Sequence, residues 1–151
     1  ALAKIDAQIL GLDGALALSR DLAQKGFYPA IDPLRSSCSN LDPRIVGQRP
    51  YNISQRMLAL FAKHASLRRI VQVVGVEELP KEDQIEYKRA EKLLNFMTQP
   101  FTVGEAFTGK KGEFVSVGDA VDDCEAVIAG VYDKLPASDF YLIGRAPKKK
   151  E

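Results

Sequence analysis

The stretch Gly75-Val76-Glu77-Glu78-Leu79-Pro80-Lys81-Glu82-Asp83 separates two long runs in which apolar residues recur at helical spacing. Gly75 is a typical helix stop, and Pro80 suits the first turn of a following helix, where acidic residues favour the helix dipole. The stretch therefore predicts two consecutive helices, over about 52–74 and 81–97, joined by a sharp, charged turn. The apolar positions that support them are Ile53, Met57, Leu60, Phe61, Leu67 and Ile70 in the first, and Ile85, Leu93, Leu94 and Met97 in the second.

Beyond the second helix, residues 101–117 are predicted to form two extended pieces around Gly109-Lys110-Lys111-Gly112, a hairpin-like turn. A shorter helix is expected over 119–129, with Gly130 as its stop and Val121, Cys124 and Ile128 on one stripe. One or two further helical turns are expected within 137–143.

The first third of the chain is less regular. Asp13 can cap a helix over 14–25 that Gly26 ends. Residues 28–50 contain four prolines and predict a long structured loop, a kind of segment that is usually functional or inter-domain. The expected architecture is an α/β remnant over 1–47, followed by a mainly α-helical bundle with a short hairpin over 48–151.

The composition is that of an ordinary soluble globular protein, with 46% hydrophobic and 27% charged residues. The net charge of +1 predicts no nucleic-acid partner. No apolar stretch approaches the ~20 residues that span a bilayer, and the N-terminus lacks the pattern of a signal peptide. We therefore expect no direct membrane insertion. The terminal run Lys148-Lys149-Lys150-Glu151 is interpreted as a solvated tail.

No catalytic or metal-ligating constellation is visible. Cys38 and Cys124 are isolated and predict reduced thiols in an intracellular compartment, and the single histidine, His64, is expected at an exposed helix position. The run from Gly104 to Lys111 nearly matches a P-loop, but a lysine stands where the hydroxyl that holds Mg²⁺ belongs. A strand is also expected after it, where a P-loop opens a helix. The sequence thus predicts no catalytic residue and no metal site.

Two segments place aromatic residues beside proline or glycine, residues 26–34 and 99–109. An aromatic ring held on such a frame can serve as a stacking platform for a planar ligand. It can equally be a core side chain, and from the residues alone core packing is the favoured interpretation.

A family resemblance connects these segments. The chain resembles the C-terminal third of the catalytic beta subunit of F-type rotary ATP synthases, in order and at nearly unchanged spacing over about 12–144. The matching motifs are Tyr28-Pro29-Ala30-Ile31-Asp32-Pro33-Leu34, Gln99-Pro100-Phe101, Glu105-Ala106-Phe107-Thr108-Gly109, Leu135-Pro136 and Phe140-Tyr141-Leu142-Ile143-Gly144. The non-catalytic alpha subunit differs in the first motif, and type III export ATPases lack the second and third.

The resemblance implies that residues 1–47 are the end of a RecA-like nucleotide-binding domain. It implies an adenine pocket for ATP or ADP in which Tyr28, Phe101 and Phe107 clamp the base, lined by Gly104 and Thr108. Stacking of a base on an aromatic ring contributes roughly 1–3 kcal/mol. Mg²⁺ would be held by a preceding region of the family.

The resemblance also implies partners. The turn formed by Glu77, Glu78, Leu79, Pro80, Lys81, Glu82 and Asp83 would be the lever that contacts the central gamma shaft. Tyr51 would face an alpha subunit, and the remainder of beta would complete the fold. From charge alone, a solvated turn is favoured. Pro80 and Lys81 replace residues of the usual acidic loop and make the lever less negative.

The expected function is a part in ATP synthesis or hydrolysis coupled to ion transport, in the soluble head of a membrane-bound ATP synthase. That head would face the mitochondrial matrix, the chloroplast stroma or the bacterial cytoplasm. The chain shows no P-loop and no catalytic carboxylate, so we expect no ATP hydrolysis by it alone. Two alternatives remain: a separately encoded, non-catalytic beta-like interaction module, and a scaffold with shared ancestry only.

Overall fold

Helices make up most of residues 11–147, the part of the chain that the computed structural model describes. The terminal run 148–151 lies outside the described residues. The chain divides into two units, Ala1–Leu58 and Ala59–Glu151. The elements are β1 (Gly14–Ala15), α1 (Arg20–Gln24), β2 (Ser37–Cys38), α2 (Pro43–Val46), α3 (Gln48–Val74), α4 (Lys81–Phe96), α5 (Glu105–Thr108) and α6 (Val117–Ile128), with 3₁₀ helices at Val76–Glu78, Thr102–Gly104 and Ala137–Phe140.

The first unit contains a short antiparallel pairing. Strand β1 pairs with β2, with Gly14 opposite Cys38 and Ala15 opposite Ser37. The pairing continues at an isolated bridge between Leu18 and Ile31. These contacts satisfy backbone groups that extended chain would otherwise leave open.

The predicted helix over 14–25 is wrong in its first half. Asp13 does not begin it; Ser19 does, because its backbone is extended and its side chain accepts a hydrogen bond from the Leu22 amide. The residues before Ser19 are instead drawn into backbone pairing, since the Asp32 amide donates to the Ala17 carbonyl at 2.8 Å. Helix α1 is therefore only five residues long.

The predicted α/β remnant of a RecA-like domain is also wrong. Within residues 11–47 the structure shows two-residue strands in a single antiparallel pair and two short helices. A RecA-like sheet is parallel, and a parallel strand needs neighbouring strands reached by long crossovers. The described part of this segment supplies no such neighbour, so its chain settles into a local antiparallel pairing. The helical part of the predicted fold is the part that the structure supports.

The long helix is confirmed and begins earlier than predicted. Asp42 caps α2, with Pro43 in its first turn, and α3 begins at Gln48. The end of the predicted loop over 28–50 is therefore largely helical. Helix α3 ends at Val74, and Gly75 follows with φ 91°, a left-handed conformation that favours glycine.

The second unit has its core around α4, whose predicted position is confirmed. Ala90, Leu93 and Phe96 recur at helical spacing and are buried. They lie on the helix that packs against both α6 and the 3₁₀ helix Ala137–Phe140. Helix α6 is also confirmed near its predicted position, and the Ser116 side chain caps it by accepting from the Asp119 amide at 3.1 Å.

The predicted hairpin over 101–117 is wrong. The first half of the segment is a 3₁₀ helix followed by α5, and the rest up to α6 carries no strand. The Glu105 carboxylate accepts a hydrogen bond from the Gly112 amide at 2.8 Å, so the segment folds back through a side chain instead of through a ladder of backbone bonds. Residues 109–116 also contain no strand, so the strand that was expected after the near-P-loop sequence is absent.

Candidate functional site

The segment 101–108 forms a compact turn that carries two of the predicted adenine-clamping rings, and we call it the aromatic turn. Phe101 precedes the 3₁₀ helix Thr102–Gly104, and Phe107 lies in α5. Phe101 is 41% exposed and Phe107 92% exposed. Neither ring is a core side chain, so the core-packing interpretation is wrong for both.

Gly104 and Thr108 lie next to each other in the aromatic turn. A β carbon built on Gly104 would stand 3.9 Å from Thr108 Cγ2 and 4.0 Å from Phe101 Cβ. The Thr108 hydroxyl donates to the Gly104 carbonyl at 3.0 Å. The turn therefore brings Phe101, Gly104 and Thr108 together, with Phe107 one residue before Thr108.

Tyr28, the third predicted clamping residue, belongs to the first unit and is 51% exposed. It precedes Pro29 through a cis peptide bond. The loop after it is held to the start of α1, since the Ser19 amide donates to the Ala30 carbonyl at 2.8 Å. Each unit thus exposes aromatic surface, and the convergence of the three rings on one base stays a prediction.

The charged turn between α3 and α4 is built around one buried residue. Leu79 is 7% exposed, whereas Glu77, Glu78, Pro80, Lys81 and Glu82 are exposed. The Gln84 side chain donates to the carbonyls of Glu77 at 3.0 Å and Leu79 at 2.8 Å. These bonds shape the turn so that its charged side chains face solvent.

Asp83 differs from the other acids of the turn because it is engaged in an ion pair. The Lys63 ammonium lies 2.6 Å from an Asp83 carboxylate oxygen and also bonds Glu86. The hydrogen bond to Asp83, and then that to Glu86, raises the pKa of Lys63. Sequence reasoning missed Lys63, because no local pattern links residues so far apart in the chain.

Two other predicted positions occupy helix α3. Tyr51 is half-buried in the first turn, and its carbonyl accepts from the Ser54 hydroxyl at 2.7 Å. The expected exposure of His64 is wrong: its ring is half-buried and stacks on Tyr87 with centroids 4.4 Å apart. The pairing places an imidazole against the buried face of α4, which the sequence pattern of α3 alone did not indicate.

Two arginine–aspartate pairs, also missed from the sequence, tie the C-terminal segment to the helices. Arg89 donates from Nε to Asp133 at 2.9 Å and from Nη1 to the Ile128 carbonyl at 2.9 Å. The hydrogen bond from the Arg89 side chain to Asp133 is the main reason why the pKa of Asp133 is lowered. Arg145 likewise donates to buried Asp123 at 2.7 Å.

The two cysteines differ in their exposure. Cys38 is exposed in β2 and Cys124 is buried in α6, and both are free thiols. Among residues 11–147, no group of three or more His, Cys, Asp or Glu side chains is placed to hold a metal ion. No helix of that same range has the length and apolar character needed to cross a membrane.

A solved structure shares this fold. It is described as that of a unique ATP synthase subunit, NeqB, from Nanoarchaeum equitans, and it is similar with a TM-score of 0.61 and 23% sequence identity. The match covers 79% of this chain and 28% of that chain. The present chain thus corresponds to less than a third of the length of that relative, and the similarity shows the fold.

A family comparison carries the assignment. The model of the C-terminal domain of V and A type ATP synthase matches residues 40–130, which is more than half of the chain. The matched range includes the charged turn and the aromatic turn. The predicted membership in the ATP synthases is confirmed at this level, and the finer resemblance to the F-type beta subunit stays a prediction. This chain belongs to the family defined by the C-terminal domain of V and A type ATP synthases.

Proposed function

We propose that this chain serves in a nucleotide-binding subunit of an ATP synthase head, where its aromatic turn contacts the adenine of ATP or ADP. The finer form of the proposal is the catalytic beta subunit of an F-type enzyme, and it rests on the motifs over 28–34 and 99–109. In that form the two phenylalanines of the aromatic turn contact the base.

The exposure of Phe107 is the observation that supports the proposal most strongly. A phenylalanine that is 92% exposed contributes little to the fold, because almost none of its ring is removed from water. The turn that presents it is held by its own hydrogen bonds, so the ring is offered on an ordered frame. An exposed aromatic face on such a frame suits stacking on a purine.

Phe107→Ala should weaken ADP binding while leaving the fold intact. Loss of one stacked ring costs roughly 1–3 kcal/mol, which is about a 5- to 150-fold increase in Kd. Titration of ADP into the assembled subunit by calorimetry gives the change directly.

Phe114→Ala is the matched control, since Phe114 is 93% exposed and lies outside the aromatic turn. Its Kd for ADP should equal that of the unsubstituted protein. Equal affinities for ADP in the Phe107 variant and the Phe114 variant would contradict the adenine-contact proposal. They would favour the alternative of a non-catalytic interaction module.

The charged turn has a second role in this proposal, as a contact for the rotating central shaft. Support comes from its exposed Glu77 and Glu78, which lie on a 3₁₀ helix at the junction of two helices. Exposed charges suit a contact that slides, because pairs at the rim of an interface contribute only about 0–1 kcal/mol each.

Glu77→Gln combined with Glu78→Gln should therefore weaken binding of the assembled head to the isolated shaft subunit about twofold to fivefold at low salt. The difference should shrink as ionic strength rises. Asp139→Asn, which alters an exposed acid in another 3₁₀ helix, is the control and should leave binding unchanged. An identical affinity for the double variant at low salt would exclude a charge-dependent contact.

A further inference from the structure

The C-terminal segment of the second unit reaches both ends of the aromatic turn through a single residue, Leu142. We propose that Lys110 is a positioning residue, which holds the aromatic turn in its nucleotide-contacting orientation by bonding the Leu142 carbonyl. The inference rests on the proposed function for its effect on ADP, and its effect on the turn itself can be measured without nucleotide.

The Leu142 peptide makes two bonds that bracket the turn. Its amide donates to the Thr98 hydroxyl at 2.8 Å, and its carbonyl accepts from the Lys110 ammonium at 3.1 Å. Thr98 is 1% exposed and lies three residues before Phe101, and Lys110 lies two residues after Thr108. One residue therefore sets the position of the chain on both sides of the aromatic turn.

Leu142 adopts an unusual conformation to do this. Its φ is 49°, in the left-handed region that residues other than glycine seldom occupy. The side chain is 8% exposed, so burial on one side and two hydrogen bonds on the other specify this backbone. A conformation of this kind persists only when its surroundings determine it.

Neighbouring contacts anchor the segment that carries Leu142. The Lys110 ammonium also donates to the Tyr141 carbonyl at 3.0 Å. A β carbon built on Gly144 would overlap the Glu113 carboxylate, so the chain at Gly144 passes directly against a residue that lies between the aromatic turn and α6. Arg145 then fixes the segment to α6 through Asp123.

Lys110 thus joins the exposed aromatic turn to a backbone that is fixed from several directions. Within the turn, the Glu105 carboxylate bonds the Gly112 amide and the Thr108 hydroxyl bonds the Gly104 carbonyl. Those bonds preserve the shape of the turn. The Lys110 ammonium determines where that shape is placed, because it bonds the Tyr141 and Leu142 carbonyls of the C-terminal segment.

The test compares three variants in the assembled subunit. Lys110→Met removes the donors and keeps much of the apolar stem, Lys110→Arg retains charge and donors, and Lys111→Met changes the adjacent exposed lysine. Amide hydrogen exchange over 101–109 without nucleotide should become about tenfold faster in Lys110→Met and stay unchanged in Lys111→Met. Kd for ADP should rise about fivefold in Lys110→Met and recover in Lys110→Arg.

The two measurements separate the inference from the proposed function. Unchanged exchange over 101–109 in Lys110→Met would overturn the positioning role, whatever happens to ADP binding. Faster exchange together with no change of ADP affinity in either Lys110→Met or Phe107→Ala would support the placement of the turn and reject the adenine contact. Equal exchange rates in the two methionine variants would also overturn the inference, because a general loss of charge would then explain the effect.

Discussion

Phe140→Ala is expected to lower the free energy of unfolding by about 3–5 kcal/mol, the usual cost of removing a buried phenylalanine. Phe140 is 0% exposed and lies in the 3₁₀ helix that packs on α4. Its ring meets Tyr132 edge to face, with centroids 5.5 Å apart. The substitution loses the transfer energy of the ring, leaves a cavity and removes the aromatic pair.

Phe114→Ala is the matched control for this loss, because the same chemical change is made at a ring that is 93% exposed. It should change the free energy of unfolding by no more than about 0.5 kcal/mol. Urea unfolding followed by circular dichroism measures both values. Similar losses in the two variants would mean that the 3₁₀ helix does not form part of the core.

The second large effect is a loss of stability at alkaline pH that originates at Cys124. The thiol is 4% exposed, and burial, followed by the charge of Asp123, raises its pKa from 9.0 to about 12. Between these values the unfolded thiol has lost its proton and the folded thiol has kept it. The folded state then binds more protons than the unfolded state. The contribution of Cys124 to the free energy of unfolding is therefore fully present below pH 9, and it falls by about 1.4 kcal/mol per pH unit as pH rises above that value.

Cys124→Val should remove this contribution, and Cys38→Val provides the control at an exposed thiol. Tyr87 and Tyr132 also have raised pKa values, chiefly from burial, so some loss above pH 10 remains in every variant. Lys92 acts in the opposite direction, because burial lowers its pKa. The measured quantity is therefore the difference in unfolding free energy between pH 8 and pH 11, compared between the two variants. An equal difference in both would contradict the assignment to Cys124.

Much of the helical architecture follows from local features of the sequence. Gly75 and Gly130 mark helix ends, and the structure gives both residues left-handed backbone. Periodic apolar residues located α3, α4 and α6 because the spacing of a helix is a property of neighbouring residues. The charged turn was predictable for the same reason, since a glycine stop and a proline start stand close together.

The errors arose where a segment is shaped by partners distant in sequence. The residues before Ser19 pair with the chain between Ile31 and Ser39 and leave the predicted helix short. The predicted hairpin failed because Glu105 bonds the Gly112 amide, a side-chain contact that competes with strand pairing. A periodicity within one segment carries no information about such contacts.

In the candidate site, too, some features follow from local sequence and others depend on residues that are distant in the chain. Sequence motifs were enough to select Phe101 and Phe107, and the structure adds that both rings are exposed on one turn. Lys110 and Leu142 stand within sequence motifs, but nothing in those motifs indicated that they bond each other, and Lys63 belongs to no motif. The contacts of all three depend on groups 20 or more residues away.

By itself the sequence determined the long helices, the charged turn between them and the aromatic residues at the proposed site. These depend on spacing and backbone preference within a few residues. Only the tertiary structure decided which ends of the aromatic turn are anchored, which acid of the charged turn is paired and which thiol is buried. Those outcomes depend on which distant groups come within hydrogen-bonding distance when the core forms, and a linear order of residues does not state those distances.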